Sequence, residues 1–183
     1  MRWSYVLLLL VVLGGGFYIY STKNKGGGWF APSTGSVDAD LVKVFAKQLV
    51  DTAGRPVSAT HLRGKVVGLY FSGHWCPPCR TFTPKLVAFR DANSENFEVV
   101  FVSFDKDEKA KSDYMEETGM KWATVPFDLD LTRKLAAHYQ VEGIPSLVIV
   151  DSQGKLITLE GRDGIERQAD AALASWRQTA GLK

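Results

Sequence analysis

The stretch "HWCPPCR", residues 74–80, holds both cysteines of this 183-residue chain. It follows an apolar run, Val66 to Phe71, of the kind that forms a strand buried on both faces. Its two prolines suit the first turn of a helix, where the missing N–H leaves no hydrogen bond unmade and φ is already helical. The sequence therefore predicts a buried strand that ends before the motif and a helix that begins within it.

A Cys-x-x-Cys pair at the start of a helix predicts redox chemistry. Cys76 would lie at the helix N-terminus, where unpaired N–H groups and the helix dipole favour a thiolate and lower the thiol pKa. Cys79, about one turn further on, would be the resolving thiol. Pro77 and Pro78 would fix the spacing of the two sulfurs. The alternative is that the cysteines form an inert disulfide or remain two idle thiols.

Composition excludes several classes of protein. A net charge of +2, with 45% hydrophobic and 23% charged residues, argues against disorder and against a strongly basic nucleic-acid surface. Two cysteines are too few for a disulfide framework. His61, His74 and His138 lack the spacing of zinc ligands, so we expect no metal site, and the proposed chemistry needs no bound cofactor.

Residues 1–20 predict an N-terminal transmembrane helix, because the apolar run from Trp3 to Tyr20 would extend about 27 Å and the hydrocarbon core is roughly 30 Å thick. A cleaved signal sequence is the alternative, with secretion as its consequence. Residues 21–43 are rich in Gly and Ser and predict a flexible linker, and residues 44–183 predict one domain. The short N-terminal tail favours an extracytoplasmic domain, periplasmic in a bacterium.

Strands and helices alternate after the linker in the predicted order β-α-β-α-α-β-β-α. The second buried strand is predicted at Phe97 to Asp105, and the last helix at Gly164 to Trp176. "KQLVDTAGRPVS", residues 47–58, predicts two short strands around a turn. The pattern indicates an α/β fold, a central mixed β-sheet flanked by helices with an antiparallel edge.

Four stretches resemble the tryparedoxin and nucleoredoxin branch of the thioredoxin superfamily. They are "YFSGHWCPPCRTFTPKLVAF" (70–89), "VVFVSFDKD" (99–107), "VPF" (125–127) and "GIPSLVIVD" (143–151). The resemblance covers about Leu49 to Leu159 and implies a thioredoxin fold, with Cys76 attacking and Cys79 resolving.

The resemblance also implies a docking surface. Trp75 and the loop of Ile144 and Pro145, with Pro145 in cis, would bind the extended chain of a substrate by backbone hydrogen bonds. Tyr70 stands where ordinary thioredoxins carry a buried acid, and tryparedoxins resemble this chain in having tyrosine there. We expect His74 to be solvated and Arg80 to be a surface charge that aids encounter with partners.

The expected function is that of a membrane-tethered, monomeric protein-disulfide reductase of the thioredoxin and tryparedoxin kind. Its partners would be a disulfide-containing protein and a thiol electron donor, which is a reductase, a membrane thiol carrier or a small dithiol. Nucleic acid is not expected as a partner. Three alternatives stay open: a membrane-anchored thioredoxin of the cytochrome c maturation type, a redox-sensitive binding adaptor, and an oxidant that forms disulfides.

Overall fold

The structure is a computed structural model and describes residues 49–182. The predicted transmembrane helix of residues 1–20, the predicted linker of residues 21–43 and the first residues of the predicted domain lie outside this range. Among residues 49–182, none of the helices combines the length and the apolar character needed to cross a membrane.

The described chain folds into five strands, four α-helices and one 3-10 helix. The strands are β1 (Val66–Ser72), β2 (Phe97–Ser103), β3 (Ala123–Thr124), β4 (Ser146–Val150) and β5 (Leu156–Thr158). The helices are α1 (Pro77–Ala92), α2 (Glu108–Glu117), α3 (Leu129–His138) and α4 (Gly161–Thr179), and the 3-10 helix is Ala59–Leu62. This is the predicted order with β3 added, which at two residues is too short to show a periodic pattern.

The strands form one mixed sheet in the order β3-β2-β1-β4-β5. Strand β1 runs parallel to β2, and β2 runs parallel to β3. Strand β4 is antiparallel to β1, and β5 is antiparallel to β4. The mixed sheet with an antiparallel edge is confirmed, and it agrees with the thioredoxin fold that the resemblance implies.

Helices cover both faces of the sheet, so every residue of β1 and β2 is buried. Helices α1, α2 and α4 pack on one face, where the buried side chains include Phe82, Leu86, Tyr114, Leu173 and Trp176. Helix α3 and the 3-10 helix pack on the other face, through buried residues that include Leu62, Leu135 and Ala136. A strand covered on both faces reads as a continuous apolar run, which is why the sequence predicted β1 and β2 well.

The predicted pair of strands before β1 is wrong. Val50 makes only isolated bridges, to Pro56 and to Thr124 of β3. Pro56 has no N–H with which to extend the pairing, and the Asp51 carboxylate accepts hydrogen bonds from the backbone N–H groups of Ala53 and Arg55 in the turn. The predicted turn is present.

The last helix begins at Gly161, three residues before the predicted start. Glycine permits a close approach to the sheet there, because a Cβ on Gly161 would lie 2.5 Å from the Leu147 carbonyl oxygen. Helix α4 has non-helical backbone angles at Gln168, where it breaks.

Candidate active site

The cysteine pair lies where β1 ends and α1 begins. Cys76 is the N-cap of α1 and Cys79 lies within its first turn. A disulfide joins them, and their Cα atoms are 5.2 Å apart. Cys76 is 3% exposed and Cys79 is completely buried, so both cysteines are buried in the disulfide form.

Pro77 and Pro78 occupy the first two helical positions, as the sequence predicts. Neither has an N–H, so the Cys79 amide is the first N–H of the helix. The Arg80 amide is already engaged, because it donates to the Cys76 carbonyl at 3.2 Å. A thiolate at Cys76 would therefore be stabilised by the Cys79 backbone N–H and by the dipole of the 16-residue helix.

The loop before β4 lies against Cys76. The Ile144–Pro145 peptide bond is cis, as the resemblance implies. The Ile144 carbonyl oxygen is 3.8 Å from Cys76 Sγ, a separation at which the reduced thiol can donate a hydrogen bond. The antiparallel pairing of β4 with β1 produces this contact, because it places Ser146 opposite Phe71 at the end of β1.

Trp75 is the most exposed large apolar side chain of the described residues, at 64%. Its indole Nε1 donates a hydrogen bond to the Phe104 carbonyl at 2.9 Å, so its polar edge is held while its ring faces solvent. A Cβ on Gly73 would lie 2.8 Å from this Nε1, which explains the glycine. Trp75 and Ile144 line one groove, whereas Pro145, the third residue predicted to dock a substrate, is buried and is not part of the lining.

Asp105 anchors the loop that carries Trp75, and sequence reasoning assigned it no role. It is 1% exposed, and its carboxylate accepts hydrogen bonds from the His74 backbone N–H at 2.8 Å and from the Ser103 hydroxyl at 2.9 Å. An acid two residues after the end of the buried strand β2 is the sequence signal that could have indicated it.

Four buried hydroxyl groups lie behind Cys79, and we call them the hydroxyl cluster: Tyr70, Ser72, Thr83 and Tyr114. Thr83 Oγ1 lies 2.8 Å from Tyr70 Oη and 2.6 Å from Tyr114 Oη. Ser72 Oγ bridges the same two tyrosines, at 3.0 and 3.1 Å. Each hydroxyl group therefore has two partners within the cluster.

The hydroxyl cluster contacts the backbone of the resolving cysteine. Thr83 donates to the Cys79 carbonyl at 2.9 Å, and Tyr70 donates to it at 3.3 Å. Burial, with a smaller effect of Tyr114, raises the pKa of Tyr70 far above its usual range, so Tyr70 stays neutral. Where ordinary thioredoxins carry an acid, this chain thus presents uncharged hydroxyl groups.

The expectation of a solvated His74 is wrong. Its ring stacks on the Tyr114 ring with centroids 5.2 Å apart, and its Nε2 lies 2.9 Å from a Glu117 carboxylate oxygen. The side chain retains 29% exposure. Helix α2 supplies both partners, and their positions depend on packing that the sequence does not reveal. Arg80 is exposed, as expected.

Among residues 49–182, no three His, Cys, Asp or Glu side chains are grouped closely enough to hold a metal ion.

The site lies within the part of the chain that matches known proteins. A family model described as thioredoxin-like matches residues 64–156. Nucleoredoxin of Homo sapiens is 38% identical over an alignment of 138 residues, which covers 73% of this chain and 31% of that protein. The chain spans about a third of the length of the curated relatives it matches first.

Solved structures resemble the described domain over most of their length. Tryparedoxin II from C. fasciculata is 34% identical with a TM-score of 0.65, covering 73% of this chain and 91% of that one. Tryparedoxin from Trypanosoma brucei is 39% identical with a TM-score of 0.62, covering 72% of this chain and 92% of that one.

Proposed function

This chain belongs to the thioredoxin-like family, in the branch of the nucleoredoxins and tryparedoxins, and we propose that it is an enzyme that reduces disulfide bonds in other proteins. The observation that carries the proposal is the position of the pair: Cys76 caps α1 beside the Ile144–Pro145 loop, and Cys79 lies within disulfide reach. One sulfur can meet a partner and the other can displace it.

The proposed cycle begins with the dithiol. The Cys76 thiolate, favoured by the helix dipole, attacks a sulfur of the substrate disulfide and displaces the other sulfur as a thiolate. Cys79 then loses its proton and attacks Cys76 Sγ, which releases the second substrate sulfur and closes the Cys76–Cys79 disulfide. Two electrons pass to the substrate, and an external thiol donor restores the dithiol.

The uncharged hydroxyl cluster affects where the Cys79 proton goes in the second step, the attack of Cys79 on Cys76. The cluster holds the Cys79 carbonyl and provides no carboxylate to accept the Cys79 proton. We therefore assign that proton to water or to the departing substrate thiolate, which becomes basic as it leaves Cys76.

For location and partners we propose a membrane-tethered protein. The apolar residues 1–20 and the Gly-rich residues 21–43 support an anchor and a tether that leave the domain outside the cytoplasm. The electron donor would then be a membrane thiol carrier. If the domain faces the cytoplasm, a reductase or a small dithiol would serve.

Reduction of insulin by the full chain tests the activity. We expect turnover with dithiothreitol as donor, and we expect Cys76→Ser to reduce the rate to that of dithiothreitol alone. Ser175→Ala, on the exposed face of α4, is the matched control. Absence of turnover in a folded wild type would overturn the proposal, and binding of partners that depends on redox state would then favour the adaptor.

A further inference from the structure

The exposed ring of Trp75 separates two grooves on the face that carries Cys76. The first groove has a volume of about 650 Å³ and the second about 420 Å³, and Trp75 and Phe104 line both. Arg80 and Lys106 line the first groove. Ile144 and Glu142 line the second. A peptide that crosses Trp75 to reach Cys76 would therefore extend into both.

The first groove contains two cations, and one of them has no ion pair among the described residues. Arg80 is exposed and forms no ion pair within the described range. Within residues 49–182, Lys106 has one ion pair, a long one of 3.9 Å to Asp107. Asp105, the acid of this groove, is buried, and its carboxylate oxygens already accept hydrogen bonds from the His74 backbone N–H and the Ser103 hydroxyl.

The second groove contains one acidic side chain, Glu142, that has no ion pair among the described residues. Glu142 is exposed, two residues before Ile144, and it has no cationic partner between residues 49 and 182. Arg133, the cation of this groove, is already paired with Asp130 at 3.2 Å. The rest of the lining is mostly apolar, with Ala136 and Val141 among it.

We propose that this face selects protein disulfides whose attacked cysteine is flanked by an acidic residue on one side and a basic residue on the other. The acidic residue would face Arg80 and the basic residue Glu142, while an apolar neighbour packs on Trp75. An extended peptide advances about 3.3 Å per residue, so charges within a few positions of the cysteine reach the two grooves. This inference rests on the proposed reductase function and names its substrate class.

Peptide mixed disulfides with nitrothiobenzoate provide the test. Reduced full-length protein attacks the peptide sulfur and releases the coloured nitrothiobenzoate thiolate. Cys79 then displaces the peptide as a thiol, and the enzyme dithiol becomes a disulfide. Four peptides are compared in single turnover: acidic before and basic after the cysteine, the reverse order, an uncharged peptide and an all-acidic peptide. Both mixed orders are included because the faster one shows in which chain direction the peptide binds.

We expect one mixed order to react about fivefold faster than the other at low salt, since each exposed charge pair contributes roughly 0.2–1 kcal/mol. The preference should vanish at about 1 M salt, where the Debye length is about 3 Å. The double variant Arg80→Glu with Glu142→Lys should invert the ranking of the two mixed orders.

The matched controls are Lys155→Glu and Glu95→Lys, which make the same charge changes at the other end of the sheet. They should keep the wild-type ranking. Equal rates for the two mixed orders, or a ranking that the double variant leaves unchanged, would overturn this inference and leave the reductase function intact. Failure to react with any peptide would overturn both.

Discussion

The two cysteines lie in the same helical turn, and their surroundings differ. Cys76 faces a loop backbone and an exposed tryptophan, and its loop is held by the charged carboxylate of Asp105. Cys79 is enclosed, and its carbonyl is held by neutral hydroxyl groups. The comparison teaches that the sulfur that captures a partner is positioned by a charge near the surface, whereas the sulfur that releases it is positioned by a network without charge.

The strongest test of this division is a pair of serine variants. Cys79→Ser should capture a substrate and hold it as a mixed disulfide, because nothing displaces the partner from Cys76. Cys76→Ser should capture none. Non-reducing gel electrophoresis after incubation with a disulfide protein measures the trapped complex. Trapping by Cys76→Ser instead would reverse the assignment of the two roles.

The charge that holds the Cys76 side can be removed with Asp105→Ala. The His74 N–H and the Ser103 hydroxyl would lose a buried charged acceptor, so we expect the free energy of unfolding to fall by about 3 kcal/mol. Urea denaturation measures the change. Asp105→Asn keeps one carbonyl acceptor and should lose less, while Asp113→Ala, at an exposed site, should lose little. Equal stability of Asp105→Ala and wild type would refute the role.

The Cys79 side should be less sensitive, because its network is neutral. Tyr70→Phe removes one hydroxyl from the cluster and leaves Ser72 and Thr83 with one partner fewer. We expect a loss of about 1.5 kcal/mol near neutral pH, again by urea denaturation. A loss larger than that of Asp105→Ala would contradict the expected difference between the Cys76 side and the Cys79 side.

The dependence of stability on alkaline pH provides a sharper test of the contribution of Tyr70. Burial raises the pKa of Tyr70, so the folded chain keeps a proton that an unfolded tyrosine loses above about pH 10. The unfolded state then binds fewer protons, and wild-type stability falls by up to about 1.4 kcal/mol per pH unit from this group. Tyr70→Phe lacks this decline. The difference in free energy of unfolding between the wild type and this variant should therefore nearly disappear by about pH 11. A deficit that is constant with pH would contradict the burial argument.

The smallest effect is expected at the ion pair of His74 with Glu117. Both side chains are partly exposed, so Glu117→Gln should change the free energy of unfolding by about 0.5 kcal/mol or less, and salt should abolish the difference. His74→Ala should lose more, since it also removes the stack on Tyr114. Equal losses would mean that the ring contact contributes nothing.

Local patterns explain what could be predicted. Runs of apolar residues predict the buried strands, and the Cys-Pro-Pro-Cys motif predicts the start of α1. The periodicity of strands and helices also accounts for the positions of two members of the hydroxyl cluster. Ser72 is two residues after Tyr70 on a strand and so shares its face, and Thr83 is one turn after Cys79 on a helix. Tyr114 escaped prediction because its position depends on how α2 packs against α1, and the contact of Asp105 with the His74 N–H depends on the pairing of β2 with β1.

The contact between Cys76 and Ile144 joins positions 68 residues apart, whereas the two cysteines are three apart. During synthesis at roughly 5–20 residues per second, the cysteine pair would precede its neighbouring loop by about 3 to 14 seconds. The disulfide can thus close in a chain whose sheet is still open. Oxidation of the cysteines in a preparation therefore does not show that the domain has folded. A measurement of the β1–β4 pairing would show it.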